Sequence, residues 1–453
     1  MESPNTTLEL ARFGARLRFE DLSRDQVRKL KAFFLDWLGS ALAGVNEIPV
    51  RCILDIARSQ GGTPESTLIP GGSGGPCLMA ALVNGASSHV VEMDDLHRES
   101  ILHPAAAVMP ALLALAEREH ATGRALITSI AVGYETAIRA ALGAGTDHYR
   151  LWHTTATCGT FGAAAGAASL LKLDPERFAW ALGSAGTQAA GLWQFLAEGA
   201  MSKQLHAGKA AMNGLLSALL ARGGFTGPVR ILEGEKGFFR ATSENFDEAR
   251  CLQGLGETFF FERNSLKFHA SCGHTHSAIE AAVAAAGKKV IPPDEIREVT
   301  VHVYQAALDL LGDVTPETPY EAKFSLPFCL ALALTRGRAA PEDFTLDTLR
   351  DPALRALMDR VRVISDPRLS SRYPRRWPAR VQVVTSRGQR LSGAADYPKG
   401  DPENPLTWEE VADKFNGLTR NVLSGTGAQN LIDRISRLEE LADTADLLAG
   451  IVR

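Results

Sequence analysis

The chain has 453 residues, of which 45% are hydrophobic and 22% are charged, and 48 basic and 52 acidic side chains leave a formal net charge of -4. This length is sufficient for two or three domains with cores of their own. Because the two charge signs nearly cancel, the composition argues against nucleic acid and membrane surfaces as partners and favours small molecules.

The N-terminus and the cysteines bear on the location and the cofactors of the protein. The first twenty residues include charged side chains, among them Glu2, Glu9 and Arg12, so they lack the continuous apolar stretch of a signal peptide. No later segment reaches the ~18 consecutive apolar residues of a membrane span, and we expect a cytoplasmic protein. The six cysteines are scattered without a C-x-x-C pair, which argues against an iron–sulfur cluster and a cysteine-based zinc site.

From residue 8 to about residue 221 the chain has helical periodicity almost throughout. The clearest run covers residues 25–43, where apolar residues recur every three or four positions. Ser23 is its expected N-cap, with Gln26 as the capping-box partner, and Gly44 is its expected end. Further helices are predicted at residues 48–60, 78–92, 105–120, 127–142, 161–171 and 175–185.

The pattern changes after about Asn264. Residues 298–304, 360–364 and 379–385 alternate between apolar and polar side chains, which is typical of strands. Helical patterns return at residues 408–416 and 429–442. We therefore predict a mainly α fold, in which a large all-helical domain (residues 1–264 and 400–453) carries an inserted, smaller α+β lid domain (residues 265–399).

Four segments concentrate the side chains that carry chemistry, and ten of the eleven histidines lie between His89 and His276. The first segment covers the end of a helix and the loop after it, and it contains His89, Glu92, Asp94, Asp95, His97 and His103. The second contains His153, directly before a helix of small residues. The third contains Lys203, His206 and Lys209, and the fourth contains Lys267, His269, Cys272, His274 and His276.

Each segment also has a structural interpretation. Helix capping and solvation account equally well for Asp94 and Asp95, and a core or capping role is the commoner one for a histidine such as His153. The lysines of the third segment are compatible with an exposed helix face. Imidazole and thiolate groups in the fourth segment are zinc ligands, but their spacing lacks the i, i+4 pair of H-E-x-x-H and a second cysteine, so we expect no metal site.

Together, the four segments resemble the MmgE/PrpD family, which includes 2-methylcitrate dehydratase, cis-aconitate decarboxylase and iminodisuccinate epimerase. The matching stretches are NGASSHVVEMDD, HPAAAVMPALLALAE, GYETAIR, WHTTATCGTFGAAAGAASLL, SKQLHAGKAAMNGLLSALLARGGFTGP, KFHASCGHTHSAIEAA and EAKFSLPFCLALAL. They cover nearly the whole chain. The resemblance implies a homodimer without cofactors, whose active site lies between the two domains and binds a small anionic di- or tricarboxylate.

The resemblance also implies which residues act. Expected catalytic residues are His103, His153, Lys203, Lys267 and Asp94, and expected substrate-binding residues are Asp95, Glu92 and His274. From the segments themselves we add His206 and Tyr149 as binding candidates. Two features depart from the decarboxylase members: the loop between Asp95 and His103 has seven residues, one more than theirs, and Leu96 stands where they have a threonine. Phe328 replaces a tyrosine of some members.

The chemistry shared by these reactions forms or breaks a bond to the carbon next to a carboxylate. Its intermediate is an enediolate-like dianion, which Lys203 and Lys267 are suited to stabilise, while His103 or His153 acts as base and the other as acid. We predict a cofactor-independent dehydratase or isomerase, similar to 2-methylcitrate dehydratase. Epimerisation, decarboxylation and a non-catalytic carboxylate-binding role remain as alternatives.

Overall fold

The computed structural model describes residues 5–69 and 72–450, and within them the chain forms two compact units. The first unit takes the described residues up to Asn264 together with those from Thr407 onward, and the second runs from Ser265 to Leu406. Helices make up 58% of the chain and strands 9%, which confirms the mainly α prediction. That the second unit serves as a lid stays a prediction.

The first unit is built almost entirely from helices. In chain order they are α1 (Thr6–Arg16), α2 (Arg24–Ala43), α3 (Ile48–Gln60), α4 (Cys77–Val90), α5 (Pro104–Arg118), α6 (Gly123–Tyr149), α7 (Thr154–Leu170), α8 (Pro175–Gly186), α9 (Gln194–Glu198), α10 (Ser202–Arg222), α11 (Phe238–Thr242) and α12 (Ala249–Leu252). Its short strands are β1 (Ser66–Leu68), which pairs with β2 (Ser73–Gly75), and β3 (Leu96–His97); β4 (Asn264–Ser265) follows at the end of this part of the chain.

The start of α2 shows how local sequence determines a helix end. The hydroxyl of Ser23 accepts a hydrogen bond from the amide of Gln26 at 3.2 Å, and the Gln26 side chain accepts one from the amide of Ser23 at 2.9 Å. This capping box satisfies two amides that the first turn of a helix leaves unpaired. The predicted cap, its partner and the end of the helix at Gly44 are all confirmed.

Small residues allow α4, α7 and α10 to pack very closely. A Cβ atom on Gly208 of α10 would lie 2.2 Å from the carbonyl oxygen of Leu82, and one on Gly85 of α4 would lie 2.8 Å from the Gly208 backbone. Only glycine permits backbones to approach this closely. Because Gly85 is one turn before His89 and Gly208 follows Lys203 by five residues, the contact brings the end of α4 to the start of α10.

α6 is long and apolar enough to cross a membrane by length and composition alone. Its most apolar 18-residue window is 94% buried inside the protein, as expected for the central helix of a folded unit. It contributes Tyr134 and the buried ion pair between Arg139 and Glu135, whose atoms are 2.9 Å apart.

The second unit combines a four-stranded sheet with helices. Its helices are α13 (Gly273–Ala285), α14 (Gln305–Leu311), α15 (Pro319–Ala322), α16 (Leu326–Arg336), α17 (Leu346–Arg350), α18 (Pro352–Met358) and α19 (Pro367–Ser370), and its strands are β5 (Ile296–Val303), β6 (Val361–Ser365), β7 (Ala379–Thr385) and β8 (Arg390–Ala395). The strand order is β6-β5-β7-β8, with β5 and β6 parallel and the other pairs antiparallel. Phe328, on α16, is fully buried.

The three strands predicted from alternation are confirmed as β5, β6 and β7, whereas β8 was not predicted. Its sequence, RLSGAA, lacks the β-branched residues that mark a strand. A Cβ atom on Gly393 of β8 would lie 2.1 Å from the Ala281 carbonyl oxygen of α13. The small residues that hide this strand in the sequence are therefore those that let α13 pack against it.

After the second unit the chain returns to the first with α20 (Trp408–Thr419) and α21 (Gly425–Ser436). Lys414 of α20 is buried, and its ammonium group donates to the carbonyl oxygen of Met93 at 2.8 Å and forms an ion pair with Asp36 of α2 at 2.5 Å. The C-terminal part of the chain thus supports the loop between α4 and α5, which carries most of the predicted acidic site residues.

Candidate active site

Four histidines of the first unit form one cluster, defined here as the histidine cluster: His89, His103, His153 and His206. The ring centroid of His89 is 5.2 Å from that of His103 and 5.7 Å from that of His153. The centroids of His153 and His206 are 5.4 Å apart. His89 and His206 lie on α4 and α10, while His103 and His153 stand directly before α5 and α7. Three predicted site histidines are therefore brought together, and His89 joins them.

Asp94 lies between two of these imidazoles. Its Oδ2 is 2.7 Å from Nδ1 of His89 and 3.4 Å from Nδ1 of His103. A carboxylate oxygen can only accept, so Nδ1 of His89 carries the proton of that ring. Asp94 and His89 are completely buried, whereas the His103 side chain is 14% exposed. Of these three groups, His103 is the one a ligand can reach.

The proton position on His103 follows from its backbone contact. Nδ1 of His103 is 2.6 Å from the carbonyl oxygen of Asp95, which cannot donate, so Nδ1 donates. In the neutral ring the lone pair is then on Nε2. The backbone of His103 is held as well, because its amide donates to the Thr155 hydroxyl oxygen at 3.1 Å.

Asp95 points away from the histidine cluster. Its carboxylate accepts hydrogen bonds from the Tyr134 hydroxyl at 2.7 Å, the Asn264 side chain at 2.6 Å and the Ala105 amide at 3.0 Å. Burial raises the pKa of Asp95 to about 7, although the hydrogen bond from Tyr134 opposes that shift. These bonds fix the start of α5 and hence the position of His103. That Asp95 binds substrate stays a prediction.

Glu92 and Lys203 form a buried ion pair beside the histidine cluster. Glu92 adopts a left-handed backbone conformation with φ of 59°, which is uncommon for a residue with a side chain. Such strain persists only where the surroundings enforce it, and here it directs the carboxylate toward Lys203 at the start of α10. The structure thus places two of the predicted residues in direct contact.

His153 and His206 are hydrogen-bonded to each other. Their Nδ1 atoms are 3.2 Å apart, so one ring donates and the other accepts. Burial, followed by the neighbouring charges of His89, His206 and Lys203, holds the pKa of His153 well below its usual value. The pKa of His206 is lowered to about 4, mainly by burial. Both rings are therefore neutral at physiological pH.

Aromatic side chains close one side of the histidine cluster. The ring of Trp193 is 4.9 Å from that of His153, and the ring of Phe195 is 5.4 Å from that of His206. Tyr149 is half-buried, and its ring centroid is 4.9 Å from that of Trp193. The structure thus places Tyr149 one aromatic ring away from His153.

The remaining two predicted residues, Lys267 and His274, belong to the second unit. His274 is buried, and its Nδ1 is 2.5 Å from the hydroxyl of Tyr304, while its ring stacks on Trp377 at 4.0 Å. Burial, followed by the charge of Lys267, lowers the pKa of His274 to about 3. We call His274, Tyr304 and Trp377 the aromatic pocket.

Several residues in and around the histidine cluster have no predicted role. His89 was noticed only as part of its segment, although its place five residues before Asp94 is the signal that pairs them. Tyr134, Asn264 and Lys414 are separated from the segment by 39 to 321 residues. No local pattern reveals such contacts.

One group of three side chains within residues 5–69 and 72–450 has the donor atoms and the spacing for a metal ion: His89, Asp94 and His103, whose donor atoms lie within 4.8 Å of one another. The zinc ligand types noted at residues 269–276 do not converge in this way. His269 contacts Glu280 at 3.1 Å, and His276 contacts the carbonyl oxygen of Ser271 at 3.2 Å.

The sequence was compared with known protein families and with characterised proteins. The family model of the MmgE/PrpD N-terminal domain matches residues 8–250, and that of the MmgE/PrpD C-terminal domain matches residues 269–440. The cis-aconitate decarboxylase-like protein oryM of Aspergillus oryzae is 28% identical over 99% of this chain and 97% of its own length. The cis-aconitate decarboxylases of Aspergillus terreus and Homo sapiens are 26% and 25% identical, over 98% and 95% of this chain and 95% and 91% of theirs.

Proposed function

This chain belongs to the MmgE/PrpD family, and from that premise we propose that it is a lyase that removes a proton from the carbon next to a carboxylate group of a di- or tricarboxylate. The reaction we favour is dehydration, of the 2-methylcitrate dehydratase type. The observation that carries this proposal is the partly exposed ring of His103, whose Nδ1 lies 2.6 Å from the Asp95 carbonyl oxygen and 3.4 Å from Asp94.

His103 is the base in this mechanism. Its ring is fixed through Nδ1, so that Nε2 accepts the substrate proton. Proton uptake makes the ring an imidazolium, and the Asp94 carboxylate at 3.4 Å stabilises that new charge. The imidazolium then returns the proton to the departing hydroxyl group, which leaves as water and restores the neutral ring. His89 holds Asp94 from the other side at 2.7 Å, so the carboxylate stays aimed at both rings.

His153 serves as a neutral hydrogen-bond donor and not as an imidazolium acid. Its low pKa means that a proton on both nitrogens is unfavourable at neutral pH. A neutral imidazole that donates to the enediolate oxygen stabilises the developing charge without losing a proton completely. For this role Nδ1 of His153 accepts the hydrogen bond from Nδ1 of His206, so that the ring proton of His153 is on Nε2.

Lys203 supplies positive charge for a substrate carboxylate. Its ammonium group has three donors, and it is paired with Glu92 in a buried position. A carboxylate ligand would share Lys203 with Glu92. That Lys267 acts as a second cation stays a prediction.

Decarboxylation is the second candidate, because two of the relatives described above are named cis-aconitate decarboxylase and the third cis-aconitate decarboxylase-like, and all three are similar over nearly the whole chain. Against it stands Leu96, whose buried side chain offers no hydroxyl group at the position of their threonine. Dehydration forms a carbanion by loss of a proton to His103, whereas decarboxylation forms one by loss of carbon dioxide and needs a proton returned to it. The same ring serves as base in the first reaction and, once protonated, as acid in the second.

The experiment that tests the proposal is a screen by NMR in deuterated water. The purified protein is incubated with citrate, 2-methylcitrate, cis-aconitate, tartrate-like acids and amino dicarboxylates, and we expect deuterium to enter one of them beside a carboxylate. An unsaturated product without gas release indicates dehydration, and released carbon dioxide indicates decarboxylation. If none of these acids exchanges or is converted, the proposed lyase function is wrong.

A matched pair of variants makes the screen specific. His103→Asn should abolish exchange, whereas His120→Asn, which changes a mostly exposed histidine paired with Asp443, should retain it. The same assay in the presence of a chelator addresses cofactor independence, for which we expect unchanged turnover.

The assembly and location of the protein remain predictions. We expect a homodimer in light scattering, a cytoplasmic location in fractionated cells, and no binding to nucleic acid or lipid vesicles. None of these expectations affects the chemistry assigned to His103.

A further inference from the structure

We propose that His89, Asp94 and His103 bind one divalent transition-metal ion of the zinc class, and that the bound ion stops proton transfer at His103. Metal binding needs only these three side chains. The inhibition also rests on the proposed lyase function, so the two parts are tested by different measurements.

The spacing of the donor atoms suits such an ion. Zinc binds imidazole nitrogen and carboxylate oxygen at about 2.0–2.2 Å, which places neighbouring ligand atoms of a tetrahedral site about 3.3 Å apart. The Asp94 oxygen is 2.7 Å from Nδ1 of His89 and 3.4 Å from Nδ1 of His103, on either side of that spacing. All three donors lie within 4.8 Å of one another, so small side-chain rotations complete the geometry.

The donor types and their burial favour the same class of ion. Two imidazoles and one carboxylate are ligands that zinc, iron and related divalent ions accept, while calcium and magnesium prefer oxygen donors alone. His89 and Asp94 are completely buried, and the 14% exposure of His103 provides the way in. Within the described ranges, Nε2 of His89 has no hydrogen-bond partner, so no hydrogen bond at that atom is lost when Nδ1 turns to an ion.

Three protein ligands leave further coordination positions open, as in sites that also bind a ligand molecule. A di- or tricarboxylate can occupy those positions or remove the ion from the protein. High substrate concentration should therefore weaken the apparent inhibition.

The ion would inhibit through the position of a ring proton. In the free protein Nδ1 of His103 donates to the Asp95 carbonyl oxygen, which places the lone pair of the neutral ring on Nε2, the atom proposed as the base. A metal bound to Nδ1 of the neutral ring leaves the single ring proton on Nε2. No proton is gained or lost in this change, but the atom that accepts the substrate proton is then occupied.

Isothermal titration of Zn²⁺ into the full-length, chelator-treated and dialysed protein tests the site. We expect one ion per chain, and an affinity at least ~10-fold lower in both His89→Gln and Asp94→Asn, as when a zinc ligand or its close support is removed. His120→Gln, at the exposed His120 and Asp443 pair, is the matched control and should keep the wild-type affinity.

A second measurement protects against a variant that does not fold. The visible absorption of Co²⁺ reports nitrogen and oxygen coordination in the wild-type protein directly, and a spectrum of unbound aqueous Co²⁺ would overturn the site. Saturable Zn²⁺ binding that is equal in wild type, His89→Gln and Asp94→Asn would also overturn it.

The inhibitory part has its own readout. Turnover of the acid identified in the deuterium screen should fall in proportion to the fraction of chains that hold Zn²⁺, and a chelator should restore it. Full turnover by the zinc-bound protein would overturn the blocking of His103 while leaving the metal site intact. Failure of the screen itself leaves the titration readable, so the two failures are distinguishable.

Discussion

The histidine cluster of the first unit and the aromatic pocket of the second both bury imidazole rings, but their neighbours differ in chemistry. In the histidine cluster, the Asp94 carboxylate lies within 3.4 Å of two rings. In the aromatic pocket, His274 is stacked on Trp377 and contacts the Tyr304 hydroxyl. In the histidine cluster a carboxylate can compensate the positive charge of a protonated imidazole, whereas the two neighbours of His274 named here carry no negative charge.

This difference separates two uses of a buried histidine. Burial disfavours the imidazolium form, and together with the charge of Lys267 it lowers the pKa of His274 to about 3. A neighbouring carboxylate opposes that penalty, so the ring can accept a proton during a reaction. We therefore assign proton transfer to the histidine cluster and a neutral hydrogen-bonding role to His274.

The largest expected effect comes from Lys203→Met, which removes the cation of the buried pair and leaves Glu92 without it. Breaking a buried ion pair costs about 3–5 kcal/mol of unfolding free energy, and we expect turnover to fall at least ~100-fold. Urea unfolding and the substrate assay measure the two losses.

The matched control for Lys203 is Arg222→Ala, which removes an ion pair with Glu119 that is 38% and 31% exposed. This change should cost less than ~1 kcal/mol. The double variant Glu92→Gln/Lys203→Met should regain part of the stability without regaining turnover. Equal stability losses in Lys203→Met and Arg222→Ala would contradict the buried pair.

His103→Asn should lower kcat at least ~100-fold, which is typical for a general base, while the protein stays folded because the ring is partly exposed. The comparison in the second unit is His274→Asn, for which we expect a smaller loss, since a neutral hydrogen-bonding group is removed and not the base. Steady-state kinetics of both variants decides the assignment, and a larger loss in His274→Asn would reverse it.

Tyr304→Phe removes the hydroxyl that contacts Nδ1 of His274 at 2.5 Å. A buried group that loses its partner costs about 1–3 kcal/mol, and we expect a decrease of that size in unfolding free energy. Tyr397→Phe, on the loop after β8, is a control of the same chemical change. A neutral result in Tyr304→Phe would mean that stacking alone holds His274.

The smallest expected effect is a change of the free energy of unfolding with pH, which is caused by the low pKa of His274. Its folded pKa is about 3 and its unfolded value is about 6.5, so only the unfolded state takes up a proton between these values. The free energy of unfolding therefore falls as pH decreases from about 6.5 toward 3. His274→Gln should reduce the loss between pH 7 and pH 5 by roughly 1–2 kcal/mol in urea unfolding, and an unchanged loss would contradict the low pKa.

Local patterns predicted much of the fold. The predicted bounds of residues 48–60 and 379–385 are the same as those of α3 and β7, because each segment has a clear apolar periodicity. The periodic run at residues 161–171 begins seven residues after the start of α7, which only the small residues that follow His153 indicate. The first turns of α7, TTATCGT, are buried on all sides, so they show no apolar stripe.

The candidate site divides in the same way. Sequence alone determined which segments carry histidines, lysines and carboxylates, since these residue types and their spacing are local. Only the tertiary structure decided that Asp94 faces His89 and His103 while its neighbour Asp95 faces Tyr134 and Asn264. Adjacent side chains of one loop point in different directions, and their partners come from helices and strands up to 169 residues away, so the distinction depends on packing.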